Sequence, residues 1–157
     1  MNEQLQLLPI SESEYAIWVV QSHHQYREEN IKNGMTAEEA QKKTNEDFQR
    51  LLPEGVKSKD NYIYAVKVEA RWVGTAWFCV RGAANNRKAF ICDIVLDEKV
   101  RGNGFGKRTM QMIEAEVKKL GLKHIGLHVF GHNKIARNLY QGLGYEITNL
   151  YLEKSIP

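Results

Sequence analysis

Apolar positions along the chain switch between a period of two and a period near 3.6, and the switches outline the elements. Leu5 to Ile10 reads as a short strand. Ser11-Glu12-Ser13-Glu14 has the S-x-x-E spacing of a capping box, in which hydroxyl and carboxylate satisfy the free amides of a helix start. Tyr15, Trp18, Val19, Ser22 and Tyr26 follow at helical spacing, and Gly34 ends the run. Thr36-Ala37-Glu38-Glu39 repeats the box, Ala40, Thr44, Phe48 and Leu51 make one buried stripe, and Pro53 stops the second helix. The period then drops to two over Tyr62 to Val68, with a turn at Glu69-Ala70 and a return strand from Trp72 to Val80. After a loop at Gly82–Asn86, Ala89 to Leu96 is nearly continuous apolar, as expected of a central strand covered on both faces. A glycine-rich turn opens a helix whose inner face is Met110, Ile113, Val117 and Leu120, with Gly121 as its left-handed cap and Leu122 packing back. Lys123 to Phe130 reads as a strand, Ile135 to Leu143 as a helix and Tyr145 to Glu153 as a final strand. The predicted order is β-α-α-β-β-β-α-β-α-β over one domain, residues 1–157. That is an α/β chain with a mixed (α+β-like) sheet rather than a doubly wound parallel one.

Composition narrows the class. Apolar residues make up 43% and charged residues 26%, which suits a globular chain and excludes wholesale disorder. No apolar run approaches the roughly 20 residues of a membrane helix, and the start MNEQLQLLPI lacks the basic and apolar regions of a signal peptide. The two cysteines, Cys79 and Cys92, sit in apolar strand-like runs, which argues against a disulfide scaffold and for a reducing, cytoplasmic setting. A net charge of +3 is too mild to imply nucleic acid. Its distribution says more: residues 97–140 hold nine basic side chains against four acidic ones, beside glycines, which suits a small anionic ligand.

That ligand points to Arg101-Gly102-Asn103-Gly104-Phe105-Gly106-Lys107, between a buried strand and a helix. Glycines let a backbone turn tightly and approach a ligand with no Cβ in the way. A helix start adds unpaired N–H groups and partial positive charge, and together these make a phosphate cradle. Arg101, Lys107 and Arg108 surround it with full charges. The Walker pattern fails, because Gly106-Lys107 is followed by Arg108 and its first glycine would be Arg101. The dinucleotide fingerprint fails too: the turn reads G-x-G-x-G and follows four strands instead of opening a βαβ unit.

R-x-x-G-x-G, met by Arg101, Gly104 and Gly106, resembles the acyl-CoA pyrophosphate loop of the GNAT superfamily of N-acyltransferases. Asn133-Lys134-Ile135-Ala136-Arg137-Asn138-Leu139-Tyr140, followed by Leu143-Gly144-Tyr145, resembles that family's N-x-x-A-x-x-L-Y…L-G-[F/Y] element in the same order along the chain. The resemblance implies the GNAT fold and acetyl-CoA as co-substrate. Backbone groups of Ile94, Val95 and Leu96 would hold the pantetheine arm and polarise the thioester carbonyl. The amides of Gly102, Asn103, Gly104, Phe105, Gly106 and Lys107 would hold the pyrophosphate, with Arg101 beside them. It also implies that Asn133 contacts the cofactor and that the Tyr140 hydroxyl protonates the departing thiolate. Seven residues apart on a helix, these two share a face to within roughly 20°, and a phenol keeps its proton at neutral pH.

A general base is less determined. Related enzymes place a Glu on the fourth or fifth strand; here the fourth offers Cys92 and Asp93 and the fifth offers His128. Strict alternation would put Cys92 and Asp93 on opposite faces, so that only one could approach the acceptor. Asp93, His128 or a base acting through water all stay open. His124, His128 and His132 recur every fourth residue but on a strand and loop, with no fourth ligand, so no metal site is expected. The implied activity is acetyl transfer to a primary amine, on a small molecule or a protein, by direct attack in a ternary complex; family members often pair as dimers. A non-enzymatic acyl-CoA-binding module is the alternative, motivated by the missing Glu, and a nicotinamide-dependent enzyme a more distant one. Neither nucleic acid nor membrane is expected as a partner.

Overall fold

The computed structural model describes residues 3–157. Its strands are β1 (Leu5–Pro9), β2 (Asn61–Val68), β3 (Arg71–Arg81), β4 (Lys88–Leu96) and β5 (Ile125–Gly126). Its helices are α1 (Glu12–Lys32), α2 (Ala37–Leu51), α3 (Phe105–Lys119) and α4 (Lys134–Gly142). The strands lie side by side in chain order, antiparallel from β1 to β4, with β5 parallel to β4. The sheet is therefore mixed, as the patterning predicts.

Both capping boxes form. Ser11 Oγ accepts from the Glu14 amide at 3.1 Å while Glu14 Oε1 accepts from the Ser11 amide at 3.0 Å, and Thr36 and Glu39 do the same for α2. These reciprocal bonds fix where α1 and α2 begin, and the pair is clamped at its far end. There Tyr26 Oη donates to Asp47 Oδ2 at 2.6 Å and Lys43 Nζ donates to the same oxygen at 2.9 Å.

One core lies on each face of the sheet. Trp18 and Phe48 pack on Ile63, Ala65 and Trp77 under α1 and α2. On the other face Met110, Ile113 and Val117 of α3 pack on Val66, Val73 and Phe78. Gly121 takes a left-handed φ of 76° and lets Leu122 fold back on that core. Phe78 has no exposed surface and stacks on Tyr62 with ring centroids 4.9 Å apart. Phe78→Ala is expected to cost about 3–5 kcal/mol, read as a lower urea midpoint with an unchanged slope.

Two expectations fail at the open side of the sheet. The strand expected over Lys123–Phe130 is reduced to Ile125–Gly126, and the one expected over Tyr145–Glu153 does not form. The cause is shared. β4 and β5 pair only at Ala89/Ile125 and Phe90/Gly126 and then diverge, so the chain beyond Gly126 has no ladder and offers none to the segment after α4. A strand without a paired neighbour is not stable on its own. For the same reason β4 is not covered on both faces throughout: Cys92, Asp93, Ile94 and Val95 are only half-buried.

Candidate active site

The divergence of β4 from β5 leaves one edge of β4 without a neighbour from Ile91 to Leu96, although β3 pairs with the other edge at every residue of that length but Cys92. Extended backbone with free N–H and C=O groups can accept another chain-like molecule in sheet fashion. Ile94, Val95 and Leu96 lie on this edge.

The glycine turn follows at the end of β4. Gly102 and Gly104 have φ of 79° and 76°, the left-handed region that L residues rarely adopt, and Gly104 is the residue on which α3 begins. A Cβ added at either would meet nothing within 4 Å, so the turn borders open space. The first helical bond runs from the Arg108 amide to the Gly104 carbonyl at 3.1 Å; among the described residues, no acceptor takes the amides of residues 102–107. A row of unpartnered amides at a helix start, with no side chain in front, fits an anionic diphosphate.

The flanking cations divide. Arg101 Nε donates to the Leu96 carbonyl at 2.9 Å, which ties the turn to the strand end. Both Arg108 amino groups reach the Glu3 carbonyl at 3.3 Å. Lys107 is exposed and forms no ion pair among the described residues. Asn103 Nδ2 braces the turn through the Val100 carbonyl at 3.2 Å. Phe105 gives only its amide, because its side chain is buried in the α3 core.

Asn133 caps α4, its Oδ1 accepting from the Ala136 amide at 3.2 Å, with its amide nitrogen left over for another partner. At the other end of α4 the Leu143-Gly144-Tyr145 motif closes the helix. The Gly144 amide donates to Gln141 O and the Tyr145 amide to Tyr140 O, both at 3.0 Å, with Gly144 at a φ of 94°. This cap brings the Tyr145 ring edge-on to Tyr140 at 5.8 Å, and Tyr145 Oη donates to Glu114 Oε1 of α3 at 3.2 Å. The motif thus fixes the tyrosine it follows. Burial, then the charge of Asp93, raises the Tyr140 phenol above its ordinary value, so it is protonated at neutral pH.

Asp93 owes its position to a β-bulge. Trp77 pairs with Asp93 and Phe78 with Ile91, so Cys92 is an extra residue on β4. Directly paired residues share a face, so Asp93 lies on the α1/α2 side with Trp77, and Cys92 packs in the same layer. The expected opposition of Cys92 and Asp93 is therefore wrong, because alternation breaks at the bulge. The Asp93 carboxyl is pushed up to about 6, first by burial and then by the negative charge of Glu29 on α1, against a bond from the Ile94 amide. Its charge also helps to raise the Tyr140 phenol. Asp93 and Tyr140 are thus near enough for the charge of one to act on the other. His128 is exposed, and its ring meets Phe90 of β4 edge-on at 5.3 Å, while His132 stacks on Phe130 at 5.5 Å. Glu29 is a neighbour to which the sequence does not point, since no spacing rule links it to a strand more than 60 residues on.

Comparisons with known proteins identify the family. The profile of the acetyltransferase (GNAT) family matches residues 20–145. The uncharacterized N-acetyltransferase YycN of Bacillus subtilis is 29% identical over 154 residues, covering 97% of this chain and 99% of its own. Its crystal structure superimposes with a TM-score of 0.87 over 98% of this chain and 99% of its own. The aminoglycoside acetyltransferase AAC(6')-Iy, solved with a CoA-containing bisubstrate analogue, shares the fold with a TM-score of 0.65 at 13% identity over 98% of this chain and 99% of its own. The chain belongs to the acetyltransferase (GNAT) family and is an acyltransferase.

Proposed function

We propose that the protein transfers the acetyl group of acetyl-CoA to a primary amine that carries positive charge. One observation carries the reading: a strand edge left free from Ile91 to Leu96 leads into a turn of unpartnered amides, with Asp93 on that strand close enough for its charge to act on Tyr140. Acetyl-CoA supplies an activated acyl thioester, which the amine takes directly with both substrates bound. The amides of residues 102–107 hold the diphosphate, with Lys107 and Arg101 adding charge and Asn133 Nδ2 a further donor. The free β4 edge aligns the pantetheine arm, and a backbone N–H of Ile94–Leu96 polarises the acyl carbonyl. Such alignment of two reactants supplies much of the rate.

Asp93 acts as general base. A carboxyl pushed up to about 6 is ionised at neutral pH yet basic enough to take the proton that the attacking amine loses. Tyr140 returns a proton to the departing thiolate. The exposed Glu29 beside Asp93 supplies the second negative charge that favours a cationic acceptor. AAC(6')-Iy, solved with the bisubstrate analogue CoA-S-monomethyl-acetylneamine, provides a precedent on this fold. Polyamines, aminoglycosides and lysine-containing peptides are therefore the acceptor panel to assay.

Tyr140→Phe keeps the ring contact with Tyr145 and removes the proton. Its kcat is expected to fall about 100-fold, with the KM for acetyl-CoA within about threefold of wild type. Equal turnover by the two enzymes would remove Tyr140 from the chemistry.

A further inference from the structure

The acetyl-transfer reading uses neither cysteine, yet the structure brings the two together. Cys92, the extra residue of the β4 bulge, directs its thiol at Cys79 of β3, with the sulfurs 3.3 Å apart and both thiols free. Arg81 Nε donates to the same Cys79 Sγ at 3.2 Å, and the Arg81 guanidinium is held over the Phe90 ring at 3.9 Å. Cys79 thus receives two donors and gives none. The Cys92 thiol and the Arg81 charge lower the Cys79 thiol well below its ordinary value, and the same contact raises Cys92. One sulfur is prepared as a thiolate nucleophile and the other as a thiol that follows it. Cys79 is only 4% exposed, but it lines a cavity of about 650 Å³ together with Arg50, Asp60, Asn61 and Arg81. A small oxidant entering there would meet the Cys79 side of the pair, where the Arg81 guanidinium lies against the sulfur.

We propose that Cys79 and Cys92 form a peroxide-reactive dithiol, in which Cys79 is oxidised by a hydroperoxide and Cys92 closes an intramolecular disulfide between β3 and β4. The Cys79 thiolate attacks one oxygen of the hydroperoxide; the O–O bond breaks, the departing oxygen leaves as hydroxide or alkoxide, and Cys79 becomes a sulfenic acid. Cys92 sulfur then attacks Cys79 sulfur, the S–OH bond breaks, and water leaves with the Cys92 proton. Over both steps two thiols are oxidised, and hydrogen peroxide is reduced to two waters. The sulfurs must close from contact to bond distance, and an unpaired bulge residue has room to move where a laddered one does not. The step involves no acetyl donor or acceptor, so its outcome is independent of the acetyl-transfer reading.

The test is intact mass of the reduced, full-length protein after hydrogen peroxide, with remaining thiols alkylated in denaturant and glutathione present as a reference thiol. The wild-type chain is expected to lose two hydrogens and take no alkyl group. It should stay a single chain on a non-reducing gel, react about tenfold faster than glutathione and regain two alkylatable thiols after dithiothreitol. Cys92→Ser should give a dimedone-trapped sulfenic acid at Cys79 and no disulfide, whereas Cys79→Ser should leave Cys92 alkylatable. Two alkylated thiols in wild type after the glutathione is consumed, or disulfides only between chains, would overturn the proposal. Oxidation of Cys92 in the Cys79→Ser protein would overturn the assignment of the attacking sulfur.

Discussion

An Asp93→Asn enzyme is expected to lose two to three orders of magnitude, roughly, in kcat/KM and to become more stable above neutral pH. The two effects share one origin. Burial and the neighbouring Glu29 charge push the Asp93 carboxyl up to about 6 from an ordinary 3.8, so the folded state holds this proton to higher pH than the unfolded chain does. Where the native state binds more protons, stability falls as pH rises, here between about pH 4 and about pH 6. Asparagine has no charge to bury and still accepts from the Ile94 amide, so the variant escapes that loss. Near pH 8 it should gain on the order of 2 kcal/mol, seen as a Tm raised by several degrees. The wild-type kcat/KM should rise with pH through about 6 as the base ionises, and Asp93→Asn should lack that limb while His128→Ala keeps it. An Asp93→Asn enzyme as fast as wild type would show that the proton leaves by another route.

The second large effect is expected at Gly104. A valine there must adopt a φ near 76°, with its Cβ crowded against its own backbone at a cost of about 1–2 kcal/mol. No neighbour stands within 4 Å of that Cβ, so the fold should survive. On the proposed reading of the turn, the same side chain would stand where the diphosphate approaches. Calorimetry should therefore show coenzyme A affinity falling by about two orders of magnitude, more than the loss of stability alone accounts for. Unchanged affinity would mean that the turn is not the diphosphate site, whatever the fate of Asp93.

Much of this arrangement was legible in the chain. The helices of the first half are written in their caps, because S-x-x-E and T-x-x-E are local bonds that need no tertiary partner. The turn at 101–107 is equally local, since glycines and a following helix define its shape. Leu143-Gly144-Tyr145 is a helix stop whose last residue must fold back on Tyr140. The parts that could not be read depend on pairing. The bulge at Cys92 exists because Trp77 and Phe78 take partners that skip a residue, and nothing in Ile91-Cys92-Asp93-Ile94 alone says so. The parting of β4 and β5 likewise erased the strand expected over Tyr145–Glu153, although Ile147, Leu150 and Tyr151 have ordinary strand character. Both failures fall on β4 or its open edge, where the proposed reaction uses Asp93 and the free backbone.

The bulge also constrains how the sheet can misalign. Were β4 to slip by one residue and pair with β3 without interruption, Asp93 would come opposite Ala76, on the side occupied by Phe78, Met110 and Ile113. A carboxylate there would have neither water nor a counter-charge, and a slip of this kind inverts every side chain beyond it. The acidic residue proposed to move a proton thereby doubles as the zipper's stop, penalising wrong alignments of the two strands before any substrate arrives.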